Sequence, residues 1–459
     1  MPSSFRVSVL QRESAFSQHG GSAKQWLDLF INVCKSLPAR TGNGMIHCDT
    51  KQSNLDPPRP TKRLSELIGA GRATEFLQCL RCLGWPFLLL ILAFPSAALA
   101  ISPDESILLD RARAIAAAPV DDFSVLGGTG GARDGGYRYQ LAFIGYGLCS
   151  VAAGEPALRA AGREIFTRLI EKMEHHTTLA YWKALGYGGE GSTGKNVMYR
   201  GHLNLMYALA HDRFGETRFD ERFHALAREL FDEISAERPI CCEPDHLFIQ
   251  CNAVTVLSLF LHDRAFGTSY ALAGKRLLAW AREHMPLEGT TLVREDYRPS
   301  TGQSSTRQAG YANAWTIAFL APVPGLTEDA RGMYTDWKQT FVEPWPFFGV
   351  VKGAPAGERL TLEESLSSSL LATTFGLLAA REEGDERLHR RLERTVAYVE
   401  HLVNTFQWML PPTRRVQART FRTIALFART FRGWNEVLGL KRESEGLRGS
   451  STLRGSPAK

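Results

Sequence analysis

Residues 156–176 read PALRAAGREIFTRLIEKMEHH, a run that opens on proline at a first-turn position and is amphipathic throughout at the helical period. The same period governs the chain on both sides. Upstream, Leu108, Leu109 and Ala112 begin one amphipathic run, and Tyr139, Phe143, Tyr146 and Leu148 mark another. Downstream, comparable runs fall at about 200–213, 219–236, 251–265, 270–285, 310–321, 326–342, 362–383, 385–406 and 415–432. No stretch keeps a strand's alternation or a βαβ spacing, which removes Rossmann and TIM-type sheets. No fixed repeat of about 34 or 40 residues supports a solenoid. The pattern predicts an all-α fold over 101–435, a toroid of paired helices closed into an (α/α)6-type barrel, with loops carrying the active site.

Composition agrees with a large packed body. The 459 residues are 44% hydrophobic and include 25 Phe, 12 Tyr and 9 Trp, too many to leave solvated. The 41 Gly show no triplet period, and 8 Cys are too few for a disulfide scaffold of this length. The net charge of +6 sits at the two ends. Residues 1–100 carry 11 Lys/Arg against 6 Asp/Glu, and the chain from Arg414 carries 11 against 3. The body between them is mildly acidic, so no nucleic-acid partner is expected.

The stretch Trp85 to Ala100 reads WPFLLLILAFPSAALA, is preceded by Arg72 and Arg81, and ends in Ala98-Leu99-Ala100. It is shorter than the roughly 20 apolar residues that span a bilayer. Its form is that of a secretory signal peptide, with a retained membrane anchor as the alternative. Residues 1–60 are polar and aperiodic, which suits an over-extended gene start with initiation after Pro60. The expected division is a non-structured or mis-called extension over 1–80 and a signal over 81–100. The barrel follows over 101–435, then a disordered basic tail over 436–459. Export would make the protein periplasmic or secreted, with four cysteines left: Cys149, Cys241, Cys242 and Cys251. The segment from Arg414 to Arg432 reads as a last helix that packs its apolar stripe on the barrel and leaves its arginines solvated. A membrane-surface helix is the alternative.

Unusual residues gather in the loops. The glycine-rich 127–136 (GGTGGARDGG) lacks both the G-x-x-x-x-G-K word and a preceding strand, so it reads as a ligand-lining loop. In GKNVMYRGHLN (194–204), Met198 and His202 are four apart and share a helix face, and Gly201 lets another group approach. In CCEPDHLFIQCN (241–252), Pro244 fixes a turn that sets Cys242 and Cys251 on opposite sides of a loop. Three readings fit the two cysteines: a zinc site with His202, a disulfide, or thiols serving as acid and base. Glu243 with Asp245, or Glu295 with Asp296, would be the carboxylate pair of a glycan-cleaving or epimerising enzyme on the same barrel. A non-catalytic binding protein would need none of the Cys/His set.

The words NVMYRGH (196–202), CEPDHLFIQCN (242–252), YRYQLAF (137–143) and GYANAW (310–315), in this order and spacing, resemble the linalool dehydratase/isomerase family over roughly 105–410. The resemblance implies a secreted enzyme, free of cofactor and metal, that removes water from or isomerises small hydrophobic allylic terpene alcohols. It implies a ring-shaped homo-oligomer, a pentamer, with the site at a subunit boundary. Carried onto this chain, the catalytic histidine falls on His202 and the two active-site cysteines on Cys242 and Cys251. An Asp and a Tyr offered across the boundary fall nearest Asp134 and Tyr139. Met198, Glu243, Phe248 and Tyr311 take substrate-binding places, and Phe143, Phe248, Tyr311, Trp315 and Phe348 are candidate apolar walls. Membrane contact is expected only through 81–100 or the basic tail.

Overall fold

The computed structural model describes residues 101–127, 136–184, 196–236, 238–343, 345, 347–360, 362–407 and 412–440. Expectations for 1–100, for 128–135 with Asp134, for Gly194 and Lys195 and for the tail past Leu440 lie outside the described residues. In chain order the helices are α1 (Pro103–Ala117), α2 (Gly136–Gly154), α3 (Arg159–Glu174), α4 (Ala180–Ala184), α5 (Val197–Phe214), α6 (Asp220–Ser235) and α7 (Ile249–Phe266). They continue as α8 (Ala273–His284), α9 (Ala309–Leu320), α10 (Thr327–Phe341), α11 (Leu362–Glu382), α12 (Glu386–Phe406), α13 (Pro412–Thr430) and α14 (Trp434–Val437).

Helices α2, α5, α7, α9, α11 and α13 pack each on the next, and α13 returns to α2 to close a ring. Around it α1, α3, α6, α8, α10 and α12 each lie over neighbouring inner helices. The fold is the expected all-α toroid of six inner and six outer helices. Burial explains which helix goes where. Every residue of α7 from Ile249 to His262 is buried, whereas α6 buries only Phe223, Ala227, Leu230 and Ile234, a single stripe. A helix apolar all round needs neighbours on every side, and a helix with one stripe needs them on one. Each large apolar side chain so covered contributes about 1.5–3 kcal/mol.

Two local expectations are corrected. Pro156 begins a short 3-10 turn, Pro156–Leu158, and α3 starts only at Arg159. Small strands also occur where none was foreseen: β1 (Leu247–Phe248), β2 (Asp296–Arg298) and β3 (Gln303–Ser305) form an antiparallel sheet. Its register sets Leu247 against Tyr297 and Asp296 against Ser305. A second pair joins β4 (Val342–Glu343) to β5 (Val350–Val351). Strands of two or three residues leave no alternation to read.

The ring closes through charge as well as packing. Helix α13 buries Ala418, Phe421, Ala425, Leu426, Phe427 and Ala428, as its stripe predicts. Its arginines are not simply solvated, however. Arg429 pairs with Asp104 of α1 at 2.8 Å and with Glu400 of α12 at 2.6 Å, and Arg432 pairs with Glu105 at 2.8 Å. Arg422 also meets Glu400, at 3.5 Å. Neighbouring helices carry acids at matching heights, which a reading of one helix alone does not reveal. Among the described residues no helix is long and apolar enough to cross a membrane.

Candidate active site

The loop before α7 is built to fold back on itself. Glu243, Pro244, Asp245 and His246 make a tight turn, with the His246 amide donating to the Glu243 carbonyl at 3.0 Å. Proline fixes one central position, and Asp245 takes the left-handed conformation at the next, φ 61°. The Cys242 amide then donates to the His246 carbonyl at 2.8 Å. Asn252, in the first turn of α7, holds the other end. Its side chain accepts from the Ile240 amide at 3.0 Å and donates to the Ile240 and Phe248 carbonyls at 2.9 and 3.1 Å. The two arms are thereby fastened so that Cys242 meets Cys251.

Both thiols are buried, and Cys251 lies close enough to Cys242 to influence its titration. The Cys242 Sγ also approaches the Phe248 carbonyl at 3.8 Å. Burial pushes the Cys242 thiol well above its ordinary range, and the contact with Cys251 pushes the same way. Cys242 is therefore a neutral proton donor at physiological pH. Of the two adjacent cysteines, Cys242 has its thiol against Cys251. None of the four described cysteines is in a disulfide.

Helix α5 brings the second half of the site. Asn196 caps it, accepting from the Tyr199 amide at 3.2 Å and from the Tyr181 hydroxyl at 3.3 Å. Met198 in the first turn receives two donors on its sulfur, the Tyr139 hydroxyl at 3.0 Å and the Arg138 guanidinium. One turn on, His202 is fully buried among aromatic rings. Tyr139 meets it edge-on at 5.8 Å, and Phe143, Tyr146 and Trp315 lie at 5.6, 5.9 and 5.9 Å. Its Nδ1 stands 2.8 Å from the Tyr146 hydroxyl, and its Nε2 has no hydrogen-bond partner among the described residues. Burial, reinforced by the charge on Arg138, lowers the imidazole to about 3, so the ring is neutral.

Arg138 is a buried cation wedged between the Tyr139 and Tyr181 rings, at 4.5 and 4.4 Å. Burial opposes its charge, while Tyr181, Tyr139 and the Glu243 carboxylate act to keep it. Its Nε and Nη1 have no hydrogen-bond partner among the described residues. Tyr311, in the first turn of α9, lies near the Gln250 side chain and packs on Trp315 at 5.7 Å and on Phe375 at 5.3 Å. Trp315 and Phe375 lie parallel at 4.3 Å. Burial raises the phenols of Tyr139 and Tyr311 above their ordinary range. The arrangement holds neutral acids, one neutral imidazole and one fixed cation against an aromatic wall.

The N-terminal parts of α2, α5, α7 and α9, with the loop before α7, thus bring together Tyr139, Met198, His202, Cys242, Cys251 and Tyr311. Tyr139, expected at a subunit boundary, reaches Met198 within its own chain. Phe248 lies beside the thiols through its carbonyl, its ring stacked on His246 at 6.0 Å. Phe348 is 43% exposed and is no wall of the site, because the turn between β4 and β5 carries it to the surface. Asp245 is fixed by the Ser300 amide at 2.8 Å, and Asp296 by His246 at 3.1 Å. Glu295, buried, accepts from Ser305 Oγ at 2.9 Å and from the Gln308 amide at the start of α9. Among the described residues no group of three His, Cys, Asp or Glu side chains is placed to hold a metal ion.

Sequence reading missed Arg138, Tyr146 and Asn252. Tyr146 had a signal: with Tyr139 and Phe143 it completes an i, i+4, i+7 face aimed at His202. A buried Arg beside a Tyr carries no comparable mark.

Among solved structures the chain is similar to the α-1,6-mannanase of Salegentibacter sp. HEL1_6, with TM-score 0.41 and 10% identity over 71% of this chain and 98% of that one. An inactive variant of that enzyme with α-1,6-mannotriose gives 0.42 and 9% over 71% and 98%. Another, with α-1,6-mannotetrose, gives 0.39 and 10% over 63% and 88%. The family model of linalool dehydratase/isomerase matches residues 138–407, more than half of the chain and the whole of the site just described, so this protein belongs to the linalool dehydratase/isomerase family.

Proposed function

We propose that the protein removes water from, and shifts the hydroxyl of, allylic terpene alcohols of the linalool and geraniol type, using only its own side chains. The observation that carries this is that Tyr139 has two buried thiols on one side and a buried, neutral imidazole on the other, within an aromatic wall. Hydroxide leaves poorly, so the reaction needs a proton on the departing oxygen. A neutral thiol of the Cys242/Cys251 pair gives that proton, the C–O bond breaks, and water departs. The positive charge spreads over the allylic carbons, where the aromatic wall excludes other nucleophiles. The remaining thiolate, steadied by hydrogen bonding from its partner thiol, takes a proton from the neighbouring carbon and the diene forms. Proton and electron pair both return to their starting places. In the isomerisation, water adds back at the other allylic end and its extra proton goes to the same sulfur. His202 and Tyr139 stand at the oxygen, and Asp134 is proposed beside them; Met198, Glu243, Phe248 and Tyr311 shape the pocket.

Export by the 81–100 signal and assembly into a pentameric ring belong to the same proposal. N-terminal sequencing of exported protein should begin near Ile101, and native mass should exceed that of one chain several-fold. The deciding assay is incubation with linalool, geraniol and longer isoprenologues followed by gas chromatography. Diene or isomeric alcohol is expected. Turnover of none of them, with cleavage of an oligosaccharide instead, would reject the proposal.

A further inference from the structure

The Tyr146–His202 contact leads beyond the roles already given. We propose that Tyr146 is a positioning residue that locks His202 in the tautomer with its proton on Nε2, so that the ring offers a hydrogen bond to the substrate oxygen and does not act as a base. The second half rests on the function proposed above.

The Tyr146 hydroxyl and His202 Nδ1 are 2.8 Å apart, and both residues are fully buried. Among the described residues this is the only hydrogen bond of either side chain. One hydrogen lies between the two atoms. If Nδ1 carried it, the phenol's own hydrogen would be buried with no acceptor, at a cost of about 1–3 kcal/mol. If the phenol donates, Nδ1 keeps its lone pair and a neutral ring must hold its proton on Nε2. The remaining arrangement, imidazolium with phenolate, is opposed from both sides. Burial and Arg138 disfavour a charged ring, and burial pushes the Tyr146 phenol well above its ordinary range.

The phenol is held firmly enough to impose this choice. Phe143 of its own helix, Phe319 of α9, Phe427 of α13 and Trp434 of α14 meet its ring at 5.6, 6.3, 6.0 and 5.8 Å. The unpartnered Nε2 then becomes the one polar atom of the ring left to meet a ligand. A donor there can follow an alcohol oxygen as it leaves and as it returns, while the thiols move the protons.

Nitrogen-15 NMR of the full chain labelled at the histidine rings, with the His202 signal identified by its loss in His202→Gln, reads the tautomer directly. A proton on Nε2 and a hydrogen-bonded, unprotonated Nδ1 are expected; a proton on Nδ1 overturns the inference. Tyr146→Phe keeps the ring packing and removes only the donor. It should abolish the hydrogen-bond shift at Nδ1 and lower kcat on linalool about 10- to 1,000-fold with KM within about two-fold, as misplacing an imidazole proton does elsewhere. Unchanged kcat in that variant removes the catalytic half. The ring measurement stands whether or not any alcohol is turned over, so its failure is distinct from failure of the proposed function.

Discussion

Gly201 of α5 stands so close to Thr255 of α7 that a β-carbon at Gly201 would lie 2.4 Å from the threonine Oγ1 and 3.4 Å from the Cys251 carbonyl oxygen. The glycine serves space here, since it sits within an ordinary helix. Its bareness lets two inner helices approach until His202 and Cys251 share one site.

Gly201→Ala should therefore damage function more than fold. Either Thr255 turns away or the helices part, at about 1–3 kcal/mol for an overpacked contact. Denaturant titration should show that loss, and kcat per folded molecule should fall at least about ten-fold, because an error of about 1 Å in the catalytic geometry can cost about 100-fold. A variant with lowered stability but full kcat would mean that this contact does not set the geometry.

Cys242→Ala, Cys251→Ala and His202→Ala should each remove most turnover, and the double cysteine variant should be scarcely worse than either single one. Groups that act as one unit are not additive. Cys149, buried in α2 away from the other thiols, is the control. Cys149→Ala should lose roughly 1 kcal/mol of stability and keep its kcat. Multiplying losses in the double variant would make the two thiols independent parts.

The pH profile of kcat should lack a limb near 6.5. With its pKa lowered to about 3, His202 stays neutral through the range in which the protein works. A rising limb near pH 6.5 that vanishes in His202→Gln would show that the ring does titrate there.

Glu295 gives a stability test of opposite character. Burial raises its carboxyl to about 7 from 4.5. The folded chain thus holds this proton more tightly than the unfolded chain does. Its contribution to stability is greatest below pH 4.5, falls as pH rises to about 7, and is flat above. The full span is about 3 kcal/mol. Glu295→Gln keeps an acceptor for the Gln308 amide and cannot ionise, so it should be more stable than the natural chain at pH 8 and little different at pH 4. Equal unfolding curves at pH 8 would show that water reaches the carboxylate.

Periodicity was enough to read the twelve long helices, because a toroid needs an apolar stripe on each outer helix and apolar faces all round each inner one. That Met198 and His202 share a helix face, and that a proline turn lies between the two cysteines, were both legible locally, while their roles were implied only by the family resemblance. Arg138 and Asn252 were not legible, and Tyr146 showed a helix face with Tyr139 and Phe143 but not what that face meets. Their roles depend on what faces them across helices or loops, and no local pattern encodes a partner 56 residues away, as His202 is from Tyr146. Phe348 failed for the converse reason, since an aromatic residue in a hairpin turn looks like core until the hairpin is placed.

The ion pairs that join α13 to α1 also order events in time. Asp104 and Arg429 are separated by 325 positions, and Glu105 and Arg432 by 327. A growing chain makes the acids more than three hundred residues before the arginines, which come only near its end. Until α13 emerges, the faces of Phe143 and Tyr146 that it covers stay open, and the ring is a gapped crescent. Contacts this distant in sequence form late and slowly. The barrel is finished only after synthesis, and a chain cut short before Pro412 leaves an apolar seam that invites aggregation.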